Sequence, residues 1–267
     1  MSSQKRRFSK LFAVIDPTRF VQTAFLRAEA IAKGNGAKLI AYCCISDGNG
    51  ESPEERTDER IRVVRDSIQR LATLPDDQLE IQVESGSDWR RVLVDAAIAS
   101  GSDLIVKIAS RHSLVGRVFN ATADWMLLSE ARQPILLVAD RQPRSTPRKL
   151  LAAIKLKPGD DERESLNEEI VELSHYLGDV VGFEVHAATA YRGDDVYFDR
   201  QRFADFCRLP RNHVHAVEGA PYVAIARAAS NVGADTIVIG KPEKSETAQR
   251  LIDHADADMI VLPSSAG

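Results

Sequence analysis

The chain repeats the order of its segments once, and this repeat limits its fold more than any other feature. An internal duplication of about 130 residues predicts two similar domains in tandem. We place the domains at residues 8–140 and 149–264, with a linker rich in Pro, Ser and Thr at 141–148. The matched segments are KLFAVIDP (10–17) with KLLAAIKL (149–156), AKLIAYCC (37–44) with FEVHAATA (183–190), SGSDLIVKI (100–108) with VGADTIVIG (232–240), and PILLV (134–138) with DMIVL (258–262).

Short apolar runs alternate with amphipathic segments in each half, which indicates an α/β fold. Apolar stripes with helical spacing separate the runs, as in the segment that begins at Trp89, and a fourth helix is predicted at about Phe119 to Ala131. This alternation is typical of a parallel sheet covered by helices on both faces. The predicted strands of the first half are Leu11–Ile15, Leu39–Ile45, Leu79–Val83, Asp103–Ile108 and Pro134–Ala139.

The composition argues against several classes of protein. The 35 Lys and Arg residues are balanced by 39 Asp and Glu residues, for a formal net charge of -4, so we expect no nucleic-acid or membrane partner. The apolar run behind the basic N-terminus is too short for a membrane span. Three cysteines, of which Cys43 and Cys44 are adjacent, make no disulfide framework and predict a cytoplasmic protein.

The predicted elements resemble the universal stress protein family. An Asp closes the first strand, the last helix leads into a strand that begins with Pro, and TADW at Thr122–Trp125 is similar to its tandem (E-type) members. The resemblance runs from about Phe8 to Pro263. It implies two tandem doubly wound parallel five-stranded sheets, of the adenine-nucleotide alpha-hydrolase-like or Rossmann-like kind, that pack as an internal pseudo-dimer.

The resemblance also implies a nucleotide site, from which the first half departs. Nucleotide-binding members carry Gly-x-x-Gly, nine residues and then Gly-Ser or Gly-Thr after the fourth strand, because glycine lets backbone N–H groups approach phosphate. The three glycine positions fall here on Ile108, Arg111 and Ala121, and only Thr122 is retained. Asp16 stands where the family's nucleotide-contacting Asp is, so Asp16 and Thr122 are the candidates for a site in the first domain.

The second half departs further from the family pattern. Gly240 is retained, but Lys241–Thr247 replaces a loop about eight residues longer in the family's pattern, whose backbone forms the phosphate cradle. Lys155 stands where the contacting Asp would be. We therefore expect degenerate nucleotide loops in both domains, and no cofactor, with ATP as the alternative.

Each candidate residue has a structural interpretation beside the functional one. Asp16 contacts a ligand or caps a helix starting near Arg19 or Phe20. Thr122 donates to a phosphate or caps the last helix, and the cap is favoured because the glycines are missing. Arg111 is a candidate anion contact but fits a solvated loop, and Cys44 fits a small strand residue at the end of strand two.

One histidine pair has the spacing of two metal ligands on a strand. His213 and His215 share a strand face, as two metal ligands would. No acidic or thiol partner with a recognisable spacing accompanies the pair, so no metal site is predicted.

These observations predict a non-enzymatic stress-response protein that binds a small molecule or serves as a scaffold or signalling module. The alternative is an ATP-binding protein, at most a weak ATPase, that uses the first domain alone. No nucleophile elbow or zinc spacing supports another enzyme. A small-molecule ligand and an intrachain pseudo-dimer are the expected partners, and association of two chains is left open.

Overall fold

The computed structural model describes residues 8–46, 53–110, 122–141, 148–156, 161–191, 199–241, 250–251 and 255–263. These residues form two compact units. We call the unit whose described residues lie between Phe8 and Asp140 the N-terminal domain, and the unit from Arg141 onward the C-terminal domain.

The N-terminal domain is a parallel sheet of five strands with the order β3-β2-β1-β4-β5. Strand β2 has seven consecutive buried residues and β4 is buried throughout, as expected for parallel strands that are covered on both faces. The strands are β1 (Lys10–Val14), β2 (Lys38–Ser46), β3 (Leu79–Gly86), β4 (Leu104–Ile108) and β5 (Ile135–Val138), and the helices are α1 (Thr23–Asn35), α2 (Pro53–Leu71), α3 (Trp89–Ala99) and α4 (Ala123–Glu130).

The C-terminal domain repeats this topology. Its strand order, β10-β9-β6-β7-β8, is the same arrangement of first to fifth strands, and all the pairs are parallel. The prediction of tandem Rossmann-like sheets is therefore confirmed, whereas their packing as a pseudo-dimer stays a prediction. The elements are β6 (Lys149–Ala153), α5 (Asp161–Val181), β7 (Glu184–Tyr191), α6 (Arg200–Cys207), β8 (Val214–Glu218), α7 (Pro221–Val232), β9 (Thr236–Gly240) and β10 (Asp258–Leu262).

The first helix begins later than the sequence predicts. Helix α1 starts at Thr23, after a turn at Pro17 and Thr18, so Asp16 does not cap a helix that begins near Arg19. Val21 consequently lies before the helix and is 48% exposed, although it is three residues before Ala24, which lies on the buried face of α1. The turn chemistry after β1 overrides the helical periodicity here.

Candidate functional site

Asp16 organises the turn at the carboxyl end of β1. Its Oδ1 accepts hydrogen bonds from the Thr18 backbone N–H (3.0 Å) and the Thr18 hydroxyl (2.6 Å), which is an Asx-type turn. Its Oδ2 lies 3.3 Å from Arg19 Nε. The carboxylate is 34% exposed, so a ligand at this edge of the sheet could still reach it.

Arg19 joins the ends of two strands. Its Nη1 donates to Asp140 Oδ2 at 2.7 Å, and this hydrogen bond raises the pKa of the guanidinium. Asp140 follows β5, whereas Asp16 follows β1. The exposed edge beside β1 therefore presents a charge-compensated set of side chains rather than an isolated carboxylate.

A side-chain amide holds the backbone of Asp16 from both sides. Gln22 Oε1 accepts from the Asp16 N–H at 3.2 Å, and Gln22 Nε2 donates to the Asp16 carbonyl at 2.7 Å. The same Nε2 donates to the Arg19 carbonyl at 2.8 Å. This carboxamide clamp satisfies backbone groups that lie beyond the last strand pairing.

A buried ion pair connects the end of β4 to the start of α4. Lys107 Nζ lies 2.6 Å from Asp124 Oδ1, and the two side chains are only 8% and 6% exposed. Lys107 Nζ also donates to the Ile108 carbonyl at 2.9 Å, and Asp124 Oδ2 accepts from the Ser110 N–H at 2.7 Å. Ile108 itself is buried at the strand end. A carboxylate and an ammonium group thus fill the junction after the fourth strand.

Thr122 is the N-cap of α4. Its Oγ1 accepts a hydrogen bond from the Trp125 N–H at 3.3 Å, as the favoured structural interpretation requires. Asp124 stands in the first turn of the same helix, where a negative charge is stabilised by the helix dipole. One donor of this helix terminus, the Trp125 N–H, is therefore used by a side chain of the chain itself.

The C-terminal domain repeats the carboxamide clamp at the matching place. Asn167 Oδ1 accepts from the Lys155 N–H at 3.3 Å, and Asn167 Nδ2 donates to the Lys155 carbonyl at 2.9 Å. Asn167 is buried in α5, whereas Lys155 is exposed. The two domains thus fix the residue after their first strand in the same way, although it is an Asp in one and a Lys in the other.

Gly240 ends β9 in close contact with a helix. A Cβ atom at this position would lie 2.4 Å from Leu166 Cδ2 and 2.9 Å from Leu166 Cγ. Real Cβ atoms essentially never come this close to a neighbour. Packing of α5 on the strand end therefore gives a structural reason for glycine here, because any larger residue would push the Leu166 side chain aside.

Comparisons with known proteins cover nearly the whole chain. It is 26% identical to universal stress protein E of Escherichia coli (strain K12) over 96% of this chain and 94% of that protein. It is 27% identical to universal stress protein E of Salmonella typhi with the same coverage. The resemblance to tandem universal stress proteins is confirmed. No family model matches the chain.

Solved universal stress proteins share the fold. A putative universal stress protein from Pseudomonas aeruginosa UCBPP-PA14 superposes with a TM-score of 0.72 at 21% identity, covering 96% of this chain and 93% of that one. A universal stress protein from Archaeoglobus fulgidus DSM 4304 gives the same TM-score at 12% identity, covering 96% and 97%. Among the described helices, none has the length and apolarity that crossing a membrane requires.

Three of the predicted site residues lie at or just after the carboxyl ends of β1 and β4. Asp16 and Ile108 lie at the carboxyl ends of β1 and β4, the edge where open α/β sheets bind ligands, and Thr122 begins the helix after β4. Cys44 is buried within β2, and Arg111 lies outside the described residues. Ligand contact by these residues stays a prediction. Sequence reasoning missed Lys107 and Asp124, which stand beside the sites it singled out.

Burial makes two of the three thiols poor nucleophiles. It raises the pKa of Cys43 and of Cys207 to about 12 in each case, and Cys44 is buried as well. The thiolate is the reactive form, so its scarcity slows every thiol reaction. No disulfide links the three cysteines.

We therefore expect the native chain at pH 8 to react with N-ethylmaleimide at least about a hundredfold more slowly than the chain in urea, because each pKa unit is worth a factor of ten in thiolate. Mass spectrometry of the labelled peptides measures each cysteine separately. The urea sample, in which all three should label, is the control. Fast labelling of Cys43 or Cys207 before unfolding would contradict the burial of that thiol.

A histidine cluster lies at the amino ends of β7 and β8. His186 and His213 stack with ring centroids 4.4 Å apart, and His215 stacks on His186 at 5.4 Å. Glu184 Oε1 lies 2.8 Å from His186 Nε2 and 3.9 Å from His213 Nε2. No acidic residue stands at a recognisable spacing from His213 and His215 in the sequence, but the fold places Glu184 beside His213. Parallel pairing of β7 with β8 supplies that partner from a segment 29 residues earlier.

The environment favours neutral imidazoles at His186 and His215 and an ionised carboxylate at Glu184. Burial lowers the pKa of His186 and of His215. The hydrogen bond from His186 lowers the pKa of Glu184. Neutral imidazole and carboxylate are the forms that bind metal ions. The signal that could have found this cluster is the pair of motifs EVH (184–186) and HVH (213–215) at the starts of two neighbouring strands.

Proposed function

We propose that the chain is a non-enzymatic stress-response protein that acts as a small-molecule-binding or scaffold module without a working triphosphate loop. The names of its full-length relatives support a role in the stress response. The buried pair of Lys107 and Asp124 at the β4–α4 junction is the observation that carries the rest of the proposal.

The charges of Lys107 and Asp124 disfavour a phosphate group at the start of α4. A helix N-terminus attracts phosphate because its N–H groups and dipole are free to meet a negative charge. Here the Asp124 carboxylate already lies in the first turn, and its charge is balanced by Lys107 at 2.6 Å. A triphosphate brought to the same place would have to compete with the Asp124 carboxylate for the helix terminus and for the Lys107 ammonium group.

The thiols support the non-enzymatic part of the proposal. Cys43 lies next to the candidate ligand edge, on β2, but its raised pKa makes it an unsuitable nucleophile. Asp16, the candidate ligand-contacting carboxylate at that edge, is held in a turn by Thr18 and Arg19. A pinned, charge-compensated Asp fits a structural or recognition role better than general-base chemistry.

Titration with Mg-ATP tests the proposal. We expect isothermal titration calorimetry of the purified chain to show no saturable binding up to about 1 mM ATP. Micromolar binding that Asp16→Ala abolishes and that Asp66→Ala leaves intact would contradict the proposal and establish the ATP-binding alternative. Asp66 is an exposed Asp of α2 and is the matched control.

Native mass spectrometry separates the two roles within the proposal. A stoichiometric small molecule that co-purifies with the chain would support ligand binding. A spectrum of the bare chain would favour a scaffold or signalling role.

A further inference from the structure

We propose that Glu184, His186 and His213 form a binding site for a divalent transition-metal ion of the Zn²⁺ class. Two imidazoles and one carboxylate are a common protein ligand set for such ions, with water in the fourth position. Hard ions such as Mg²⁺ and Ca²⁺ prefer sites made of oxygen alone, so the donor set selects against them.

The three donor groups already converge. One ligand atom from each of Glu184, His186 and His213 can be chosen so that all three lie within 4.8 Å of one another. Donors around a tetrahedral zinc ion, each about 2.0–2.1 Å from the metal, lie roughly 3.3 Å apart. Glu184 Oε1 lies 2.8 Å from His186 Nε2 and 3.9 Å from His213 Nε2, each within about 1 Å of the spacing at a zinc ion. Rotation of the two stacked imidazole rings would complete the site.

Backbone geometry orients His213 for the role. Its Nδ1 lies 3.0 Å from the Val185 carbonyl oxygen, which can only accept a hydrogen bond. The proton of the neutral imidazole is therefore on Nδ1, and Nε2 presents its lone pair toward the Glu184 carboxylate. A ligand histidine that is fixed by a carbonyl in this way is the usual arrangement at metal sites.

His186 has a partner for its second nitrogen as well. Its Nε2 now hydrogen-bonds to Glu184, and its Nδ1 lies 3.2 Å from His215 Nε2. When a metal ion takes the place of the Nε2 proton, His186 carries its proton on Nδ1. The Nδ1–H group then donates a hydrogen bond to His215 Nε2, and both imidazoles stay neutral. His215 thus acts as a positioning residue that supports the ligand.

The surroundings allow an ion to enter. The Glu184 and His213 side chains are 32% and 25% exposed, whereas His186 is buried. Two cations face the cluster: Lys149 Nζ lies 3.8 Å from Glu184 Oε1, and Arg200, which donates to the Val214 carbonyl, is near His215. Lys149 is itself one-third exposed, so its ammonium group can turn to solvent when the ion binds.

The cluster is independent of the proposed function. It lies at the amino ends of β7 and β8, whereas the ligand edge of a doubly wound sheet is at the carboxyl ends. Failure of the metal proposal would therefore leave the proposed function untouched, and the reverse also holds.

Zinc titration of the metal-free full-length chain tests the proposal. We expect isothermal titration calorimetry to show one Zn²⁺ per chain with a dissociation constant below about 10 μM. His213→Gln and Glu184→Gln should each weaken binding by at least about tenfold, since each removes a ligand. Co²⁺ should give visible d–d absorption of tetrahedral strength in the unaltered chain and lose it in both variants.

His175→Gln is the matched control, because His175 bonds to the Cys207 carbonyl and stands outside the cluster. Its zinc affinity should equal that of the unaltered chain. Circular dichroism of the metal-free variants shows whether each one folds, and two separate ligand variants keep the test informative if one does not. Zinc binding weaker than about 1 mM, or binding that His213→Gln and Glu184→Gln leave unchanged, would overturn the proposal.

Discussion

Replacement of Lys107 by Met is expected to lower the free energy of unfolding of the N-terminal domain by about 3–5 kcal/mol. The variant leaves the Asp124 carboxylate buried without its cation, and removal of one partner of a buried ion pair is far more costly than removal of both. Both tryptophans of the chain, Trp89 and Trp125, belong to this domain. Urea unfolding followed by tryptophan fluorescence therefore measures the effect where it arises.

Two further variants make the measurement specific to the pair. Lys107→Met combined with Asp124→Asn removes both charges, keeps an acceptor for the Ser110 N–H, and should recover at least half of the lost stability. Lys38→Met changes an exposed lysine at the start of β2 and should shift stability by less than about 0.5 kcal/mol. The average single substitution changes the free energy of unfolding by about 1 kcal/mol. A Lys107→Met variant that loses no more than this would contradict the buried ion pair.

Gly240→Ala is expected to destabilise the C-terminal domain by about 1–3 kcal/mol through overpacking. The new Cβ would overlap the buried Leu166 side chain, which would have to shift within the core. Urea unfolding followed by far-ultraviolet circular dichroism measures the change.

A double-mutant cycle with Leu166→Ala separates overpacking from other effects of the alanine. Leu166→Ala alone costs stability because it leaves a cavity, but it removes the atoms that Gly240→Ala would meet. The alanine at 240 should therefore be tolerated in the Leu166→Ala background, with a coupling energy of about 1 kcal/mol or more. Equal costs in the two backgrounds would contradict the close contact.

The sequence predicts the strands well and the side-chain pairs poorly. The predicted strand Leu39–Ile45 is observed as Lys38–Ser46, because a continuous apolar run between turn signals has few alternatives in an α/β chain. The structural interpretation of Thr122 as a cap is likewise confirmed, whereas the predicted helix start near Phe119 lies outside the described residues. The sequence does not predict the start of α1 correctly, since Asp16 and Gln22 form a turn that hydrophobic periodicity does not detect.

The two most informative clusters depend on contacts between elements that are distant in the sequence. Lys107 and Asp124 are 17 positions apart and belong to no repeating pattern, so only the fold brings them together. Glu184 and His186 meet His213 because β7 and β8 pair with Ala187 opposite Val214, a register that the sequence does not specify. Local patterns determine elements, whereas sites of this kind are determined by the contacts between elements.

The paired clamps of Gln22 on Asp16 and Asn167 on Lys155 have a consequence for how a duplicated gene can diverge. In both copies a side-chain amide holds the main chain at this position, so these backbone hydrogen bonds do not depend on which side chain the position carries, although Asp16 adds its own bonds to Thr18. Selection can then invert the charge presented to an incoming molecule in one copy while the scaffold beneath it keeps its shape.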